Sequence, residues 1–248
     1  LEALMQRSYY FALLLENPKT LEQLVKLTQS SPWITDLIAS VPMLVDELRN
    51  SRTLYAPLQQ QELANELRQL LIGLPSDDLE QQMDCLREFK HAQVLRVAAA
   101  DTAGLLPLMK VSDHLTFTAV TILNAVVKVA LRACCYETTP ALSYTTLLDE
   151  HDFMIVAYGK LGGIELGYGS DLDLVFLYGE QSSDAFVEAI HPVSPADFYL
   201  KLAKQVVHIL SATRLTGLLY KVDTRLRPSG DSGLLVNSLD NFSQYQLT

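Results

Sequence analysis

Asp171 and Asp173 stand two residues apart at the head of an apolar run. The two-residue period of a β-strand puts their carboxylates on one face, a few ångströms apart. At an effective dielectric near 20 and a separation of about 4 Å, their repulsion is on the order of 4 kcal/mol. A buried pair therefore needs a counter-charge, and a divalent cation between the two reverses the sign. Mg²⁺ prefers such oxygens and binds through one or two protein carboxylates, leaving positions for phosphate oxygens and water. Taken alone, Asp-x-Asp is also the ordinary solvated end of a strand, so the flanking segments must decide.

Upstream lies the stretch from Gly159 to Ser170, five glycines in twelve residues between two apolar runs. Such a loop lets backbone N–H groups approach a phosphate. No Gly-Lys-Ser/Thr closes it and it is not Gly-x-Gly-x-x-Gly, so a mere tight connection is the competing reading. Downstream comes Asp223-Thr224-Arg225-Leu226-Arg227. Read as part of a strand over Leu218–Arg227, its alternation sends Asp223, Arg225 and Arg227 to one face and Val222, Thr224 and Leu226 to the other. Placed beside Leu172–Tyr178, that strand lets Asp223 complete a three-carboxylate metal site while an arginine meets a triphosphate through bidentate hydrogen bonds. The alternative is a surface salt-bridge ladder.

The elements that must position these residues change character along the chain. Up to about Tyr136 the apolar spacing of three and four reads as helix after helix. Asn17-Pro18 ends the first. Thr20 and Gln23 have the form of a capping box for the second, and Ser31-Pro32 opens a third. Further helices are expected over Glu62–Ile72, from Asp77 to about Ala103, and from Ser112 to about Cys135. After Pro140 the pattern becomes strand (Phe153–Tyr158), glycine loop, strand (Leu172–Tyr178), helix (Ala196–Ala212) and a third strand. The division is therefore a helical part over residues 1–140 and an α/β part over 141–248, together an α+β chain.

Composition narrows the function. Nineteen Lys and Arg stand against 29 Asp and Glu, a formal charge of −10, and the parts before and after residue 150 are both negative. A phosphate-backbone footprint needs the opposite sign, so a nucleic-acid partner is not expected. Three cysteines, Cys85, Cys134 and Cys135, offer neither a zinc quartet nor a disulfide framework and suit a reducing, cytoplasmic setting. Ala119–Ala133 is apolar but interrupted by Asn124 and Lys128, which argues against a membrane span. The chain opens at Leu1 without methionine and stops in mid-pattern after Tyr245, the look of a piece of something longer. His151, His191 and His208 are scattered, and His91 and His114 sit among Arg87, Lys90, Arg96 and Lys110 in what reads as a solvated helix face. Trp33 follows a helix cap and reads as core. Asp101 and Asp113 fall on helices, far from the glycine loop.

A glycine-containing loop, an Asp-apolar-Asp and a third aspartate on a later strand resemble the nucleotidyltransferase superfamily that includes DNA polymerase beta. More closely, "YGKLGGIELGYGSDLDLVFLY", "YKVDTRLRPSGDSGLLV" and, in the helical part, "EFKHAQVLRVAAADTAGLLPLMKVSDHLT" resemble the glutamine synthetase adenylyltransferase family. The resemblance spans nearly the whole chain. It implies a helical part followed by a polymerase-beta-like domain with a small mixed sheet, and transfer of AMP from ATP to a tyrosine of glutamine synthetase with release of pyrophosphate. It further implies that Asp171, Asp173 and Asp223 are catalytic and hold two Mg²⁺ ions. Gly159, Lys160, Gly162, Gly163, Ser170, Arg225 and Arg227 would orient the triphosphate. The superfamily's usual Gly-Ser or Gly-Gly, about ten residues before the acidic pair, is approximated by Gly159-Lys160, while Gly162-Gly163 lies closer. Family members carry two related halves. "GYGSDLDL" and "RLRPSGDSG" resemble the C-terminal, adenylylating half, since the adenylyl-removing half more typically has phenylalanine where Ser229 stands. The rival readings are phosphorolytic removal of AMP, in which phosphate attacks and ADP leaves, and a non-catalytic fragment that docks to glutamine synthetase or to a PII signal protein. An RNA-directed nucleotidyltransferase conflicts with the charge.

Overall fold

The structure is a computed structural model that describes residues 8–138, 152–179, 193–214 and 217–247. It is α+β, a stack of helices followed by a small mixed sheet. The helices are α1 (Ser8–Glu16), α2 (Pro18–Ser30), α3 (Pro32–Ser40), a 3₁₀ segment (Pro42–Arg49), α4 (Ser51–Leu54), α5 (Gln60–Ile72), α6 (Leu79–Thr102) and α7 (Leu108–Thr138). Then come β1 (Phe153–Tyr158), a one-turn helix α8 (Gly159–Gly162), β2 (Leu172–Tyr178), α9 (Pro195–Ser211), β3 (Val222–Asp223), β4 (Val236–Ser238) and α10 (Leu239–Gln246).

Most boundaries follow local chemistry. Pro32 opens α3 behind Ser31, whose Oγ accepts from the Ile34 N–H. Asp78 caps α6 by accepting from the Gln81 N–H at 2.9 Å. The capping box read at Thr20 and Gln23 does not form, because α2 already starts at Pro18 and Thr20 is buried inside it, while Gln23 accepts from the Tyr55 hydroxyl. The last long helix begins at Leu108, directly after Pro107, rather than at Ser112. Its segment Leu108–Cys135 has the length and composition of a membrane span, longer than the interrupted run suggests, but 67% of its most apolar window is buried inside the protein.

β1 runs antiparallel to β2, from Phe153 opposite Tyr178 to Tyr158 opposite Asp173. It lines one edge of β2 along its length. The other edge is shared by β3, parallel with Asp223 opposite Asp173, and by β4, parallel with Phe176 opposite Val236. Residues 224–235 are thus a detour between two short strands on one edge.

Two apolar clusters support this arrangement. One joins α5, α6 and α7 to the sheet and α9 through residues such as Leu86, Ile122, Val126, Phe176, Phe198 and Leu219. It runs across residue 140, so the helices and the sheet share a core. The other joins α1–α4 and the 3₁₀ segment to Leu95, Ala98 and Ala99 of α6. Helix α6 lies between the two, which is why it is apolar on more than one face.

Candidate functional site

Asp173 lies in β2 and Asp223 in β3 as direct neighbours in a parallel pair, which puts both side chains on one face. Asp171 is exposed, one residue before β2 begins. Gly159 closes on the same spot. Its φ is +56°, and a Cβ there would lie 2.1 Å from Asp173 Oδ2, so no residue but glycine lets the backbone come so near that carboxylate. Gly162 is constrained in a different way, since its Cβ would lie 2.5 Å from the carbonyl oxygen of Ala157 in β1. Buried Leu161 and Leu166 anchor the loop. The Ser170 hydroxyl accepts from the Gly167 N–H at 3.0 Å and closes the loop's last turn. Lys160 is exposed on α8, and Gly163 follows that turn.

The third segment departs from the expected strand. β3 comprises only Val222 and Asp223, and the chain turns from Thr224 onward. Asp223, Arg225 and Arg227 therefore do not alternate along one face. The turn is dictated by Asp223 itself, whose Oδ1 accepts from the Arg225 N–H at 2.8 Å, an Asx-type turn that ends strand geometry. The Arg225 guanidinium then folds back, its Nε donating to both carboxylate oxygens at 3.0 and 2.9 Å and its Nη2 to Oδ2. These hydrogen bonds hold the Asp223 carboxyl down at about 2, with the Arg227 charge adding to the effect. Arg227 points into the turn instead. Its Nη1 donates to the carbonyl and hydroxyl oxygens of Thr224, both at 2.8 Å, and its other nitrogens to the carbonyls of Gly233 and Asp231.

The donor set suits a hard cation. Asp173 and Asp223 in register supply the two carboxylates that Mg²⁺ typically takes, and Asp171 leads into the same strand. Among the described residues, no three His, Cys, Asp or Glu side chains converge as a ready-made metal cage.

Of the residues read as a solvated helix face, Arg87, His91 and His114 are buried, Lys90 and Arg96 are half-buried, and Lys110 is exposed. Arg87 is 0% exposed and donates to the carbonyls of Met83, Ala212 and Gly217 at 2.9, 2.6 and 3.0 Å. Lys90 donates to the Leu219 carbonyl at 2.5 Å and lies 4.2 Å from the Tyr220 ring centre; burial lowers its pKa to about 8. His91 is buried and held neutral, its pKa pushed down to about 4 by burial and then by its cationic neighbours. His114 is buried against the Leu58 carbonyl, and His208 is exposed. Trp33, expected in the core, is 40% exposed. Asp101 is not far from the glycine loop, for it accepts from the Tyr168 hydroxyl at 2.9 Å. His151 and His191 lie outside the described residues. Nothing local marks Arg87 as buried or Lys90 as half-buried, because their acceptors Gly217 and Leu219 lie about 130 residues away.

The sequence profile of glutamate-ammonia ligase adenylyltransferases matches residues 21–248. The chain is 49% identical over 247 residues to the bifunctional glutamine synthetase adenylyltransferase/adenylyl-removing enzyme of Methylococcus capsulatus and 50% identical over 247 residues to that of Pseudomonas syringae pv. tomato. The corresponding enzyme of Shewanella oneidensis is 47% identical over 248 residues. In each comparison 99% of this chain is covered, but only 25–26% of the relative. The chain spans about a quarter of the length of these relatives.

Proposed function

The chain belongs to the glutamate-ammonia ligase adenylyltransferase family, and from that premise we propose that it carries the nucleotide-transfer site of such an enzyme, moving AMP from ATP to a tyrosine hydroxyl of glutamine synthetase. The observation that carries this reading is the register of Asp173 against Asp223 with Gly159 pressed on the Asp173 carboxylate. Asp171, Asp173 and Asp223 would hold two Mg²⁺ ions. When bound, such ions lower the pKa of an attacking hydroxyl and neutralise charge on departing pyrophosphate.

The chain's own groups have the remaining work. Backbone N–H groups of the loop from Gly159 to Gly163, with Lys160 and Ser170 nearby, would orient the triphosphate for in-line displacement at the α-phosphorus. Arg225, whose side chain is 71% exposed, is placed to exchange its bonds with Asp223 for phosphate oxygens. Arg227 is engaged with backbone carbonyls, which makes it a support of the turn more than a direct phosphate ligand.

Residues "GYGSDLDL" and "RLRPSGDSG", with Ser229, favour transfer over removal. The names of the relatives cover both activities, so phosphorolysis of adenylylated glutamine synthetase is the second reading. Product analysis separates the two: ATP yields pyrophosphate in transfer, and phosphate yields ADP in removal. A cytoplasmic setting and contact with a PII protein belong to the same proposal for the full-length protein.

Asp173→Asn in the full-length enzyme is expected to lower AMP transfer by about 10³-fold or more, the scale of losing a major electrostatic contributor. Its thermal stability without metal should stay level or rise, because like charge has been removed. Calorimetry on the 248-residue chain should show ATP binding that needs Mg²⁺. Near-wild-type transfer by Asp173→Asn would overturn the site, and metal-independent or absent ATP binding would favour a non-catalytic docking fragment.

A further inference from the structure

The glycine-rich loop is gripped from outside the sheet. Tyr168, flanked by Gly167 and Gly169, is the side chain through which this part of the loop reaches the helices. Its hydroxyl donates to Asp101 Oδ2 at 2.9 Å, at the end of α6. Its ring lies 4.8 Å from that of Trp33, tilted by 45°, at the start of α3. The same ring packs against both apolar clusters. Among the described hydrophobic side chains, it is the one from beyond α6 that packs against the cluster of α1–α4.

A phenylalanine would keep the ring contacts, so what the hydroxyl adds is the bond to Asp101. Burial, and then the neighbouring carboxylate, raise the Tyr168 pKa, which keeps the group a protonated donor. A neutral donor to a carboxylate is among the stronger single hydrogen bonds. Ser170 closes its own turn through Gly167, a purely local contact; Tyr168 crosses 67 residues of sequence.

We propose that Tyr168 is a positioning residue that latches the glycine-rich loop to Asp101 and Trp33, so that the N-terminal helices set, and sense, where the loop sits. This rests on the reading that the loop orients the triphosphate of ATP. Linkage makes the effect reciprocal: if phosphate binding favours one loop position, whatever stabilises the latch changes ATP affinity by the same factor. Trp33 is the only tryptophan in the chain, which makes its emission an optical report on the ring of Tyr168.

The test uses the 248-residue chain, with ATP and Mg²⁺ as the probe. Trp33 emission should change on titration with ATP, and the midpoint should match the calorimetric Kd. Tyr168→Phe should stay folded, shift the ligand-free Trp33 emission, and weaken ATP binding about tenfold, the equivalent of one charge-assisted hydrogen bond. Asp101→Ala should reproduce both effects. Asp101→Asn keeps the size of the side chain and a neutral accepting oxygen, so it should show part of the loss in Kd and part of the emission shift, whereas a merely space-filling Asp101 predicts wild-type values for asparagine. Wild-type Kd and emission in both Tyr168→Phe and Asp101→Ala would overturn the latch. If the wild-type chain binds no ATP, the phosphate role of the loop fails instead, while the ligand-free emission of the variants still decides whether the latch exists.

Discussion

The segment entering β3 and the segment leaving it are both held by arginines, but in opposite ways. On entry, the chain is gripped from behind by α6 at Ala212, Gly217 and Leu219, where buried Arg87 reaches the first two and Lys90 the third, across 125 to 130 residues of sequence. On exit, residues 224–233 are held by their own Arg225 and Arg227, across two to six residues. The first anchor places the backbone that ends at Asp223. The second lowers the pKa of its carboxylate. A buried cation is costly unless it is partnered, and each of the three Arg87 nitrogens donates to a carbonyl. An exposed arginine is free to exchange partners, the property a substrate-contacting group needs.

The strongest way to break this comparison is Arg87→Leu. It leaves the Ala212 and Gly217 carbonyls without their donor in a largely covered site, at about 1–3 kcal/mol for each unsatisfied group. A loss of about 3 kcal/mol is expected in urea unfolding, which for a chain of this size lowers Tm by roughly 6–12 °C. Loosening β3 should also lower AMP transfer in the full-length enzyme. An unchanged urea midpoint would show that the entry segment holds itself, and the contrast would vanish.

What could be read from the residues alone divides along the same line. β1 and β2 begin and end where their apolar runs do, and α9 is displaced by a single residue from the expected span, because burial of a continuous apolar stretch is a local signal. That Asp223 comes to lie beside Asp173 was legible too, from the expected pairing of its segment with β2. The third strand was not, since an Asx turn at Asp223 overrides alternation that looks regular on paper. The burial of Arg87 and His91 and the half-burial of Lys90 were not legible either. A polar run on a helix looks solvated until distant carbonyls are folded onto it, and the ring of Tyr168 draws Trp33 to a half-covered rim in place of the core.

Arg227→Ala sharpens the comparison at smaller scale. The guanidinium supports a turn that contains Ser229 at φ +61°, a conformation non-glycine residues rarely adopt. A loss of about 1 kcal/mol is expected from these mostly backbone contacts. Hydrogen–deuterium exchange should accelerate over residues 224–233 and stay unchanged over 212–221. Equal acceleration in both segments would mean that they are one cooperative unit.

The smallest effect, and the most specific, is a change of titration in Arg225→Ala. Hydrogen bonds from the Arg225 guanidinium and N–H hold Asp223 at about 2 against an ordinary 3.8. Because the folded value is depressed, the stabilisation it provides is fully present above the ordinary carboxylate pKa and is lost as pH falls from near 4 towards 2. Removing the guanidinium leaves the backbone donor in place, so the Asp223 pKa should rise part of the way back, and the difference in stability between wild type and variant should shrink over that acid window. At neutral pH the difference is at its full size, and small, since Arg225 is largely exposed and screened. Carboxyl NMR of Asp223 measures the shift directly. An Asp223 that titrates in Arg225→Ala as it does in the wild type would transfer control of that carboxylate to the backbone turn and to Arg227, and the arginine proposed to exchange partners would lose its hold on the site.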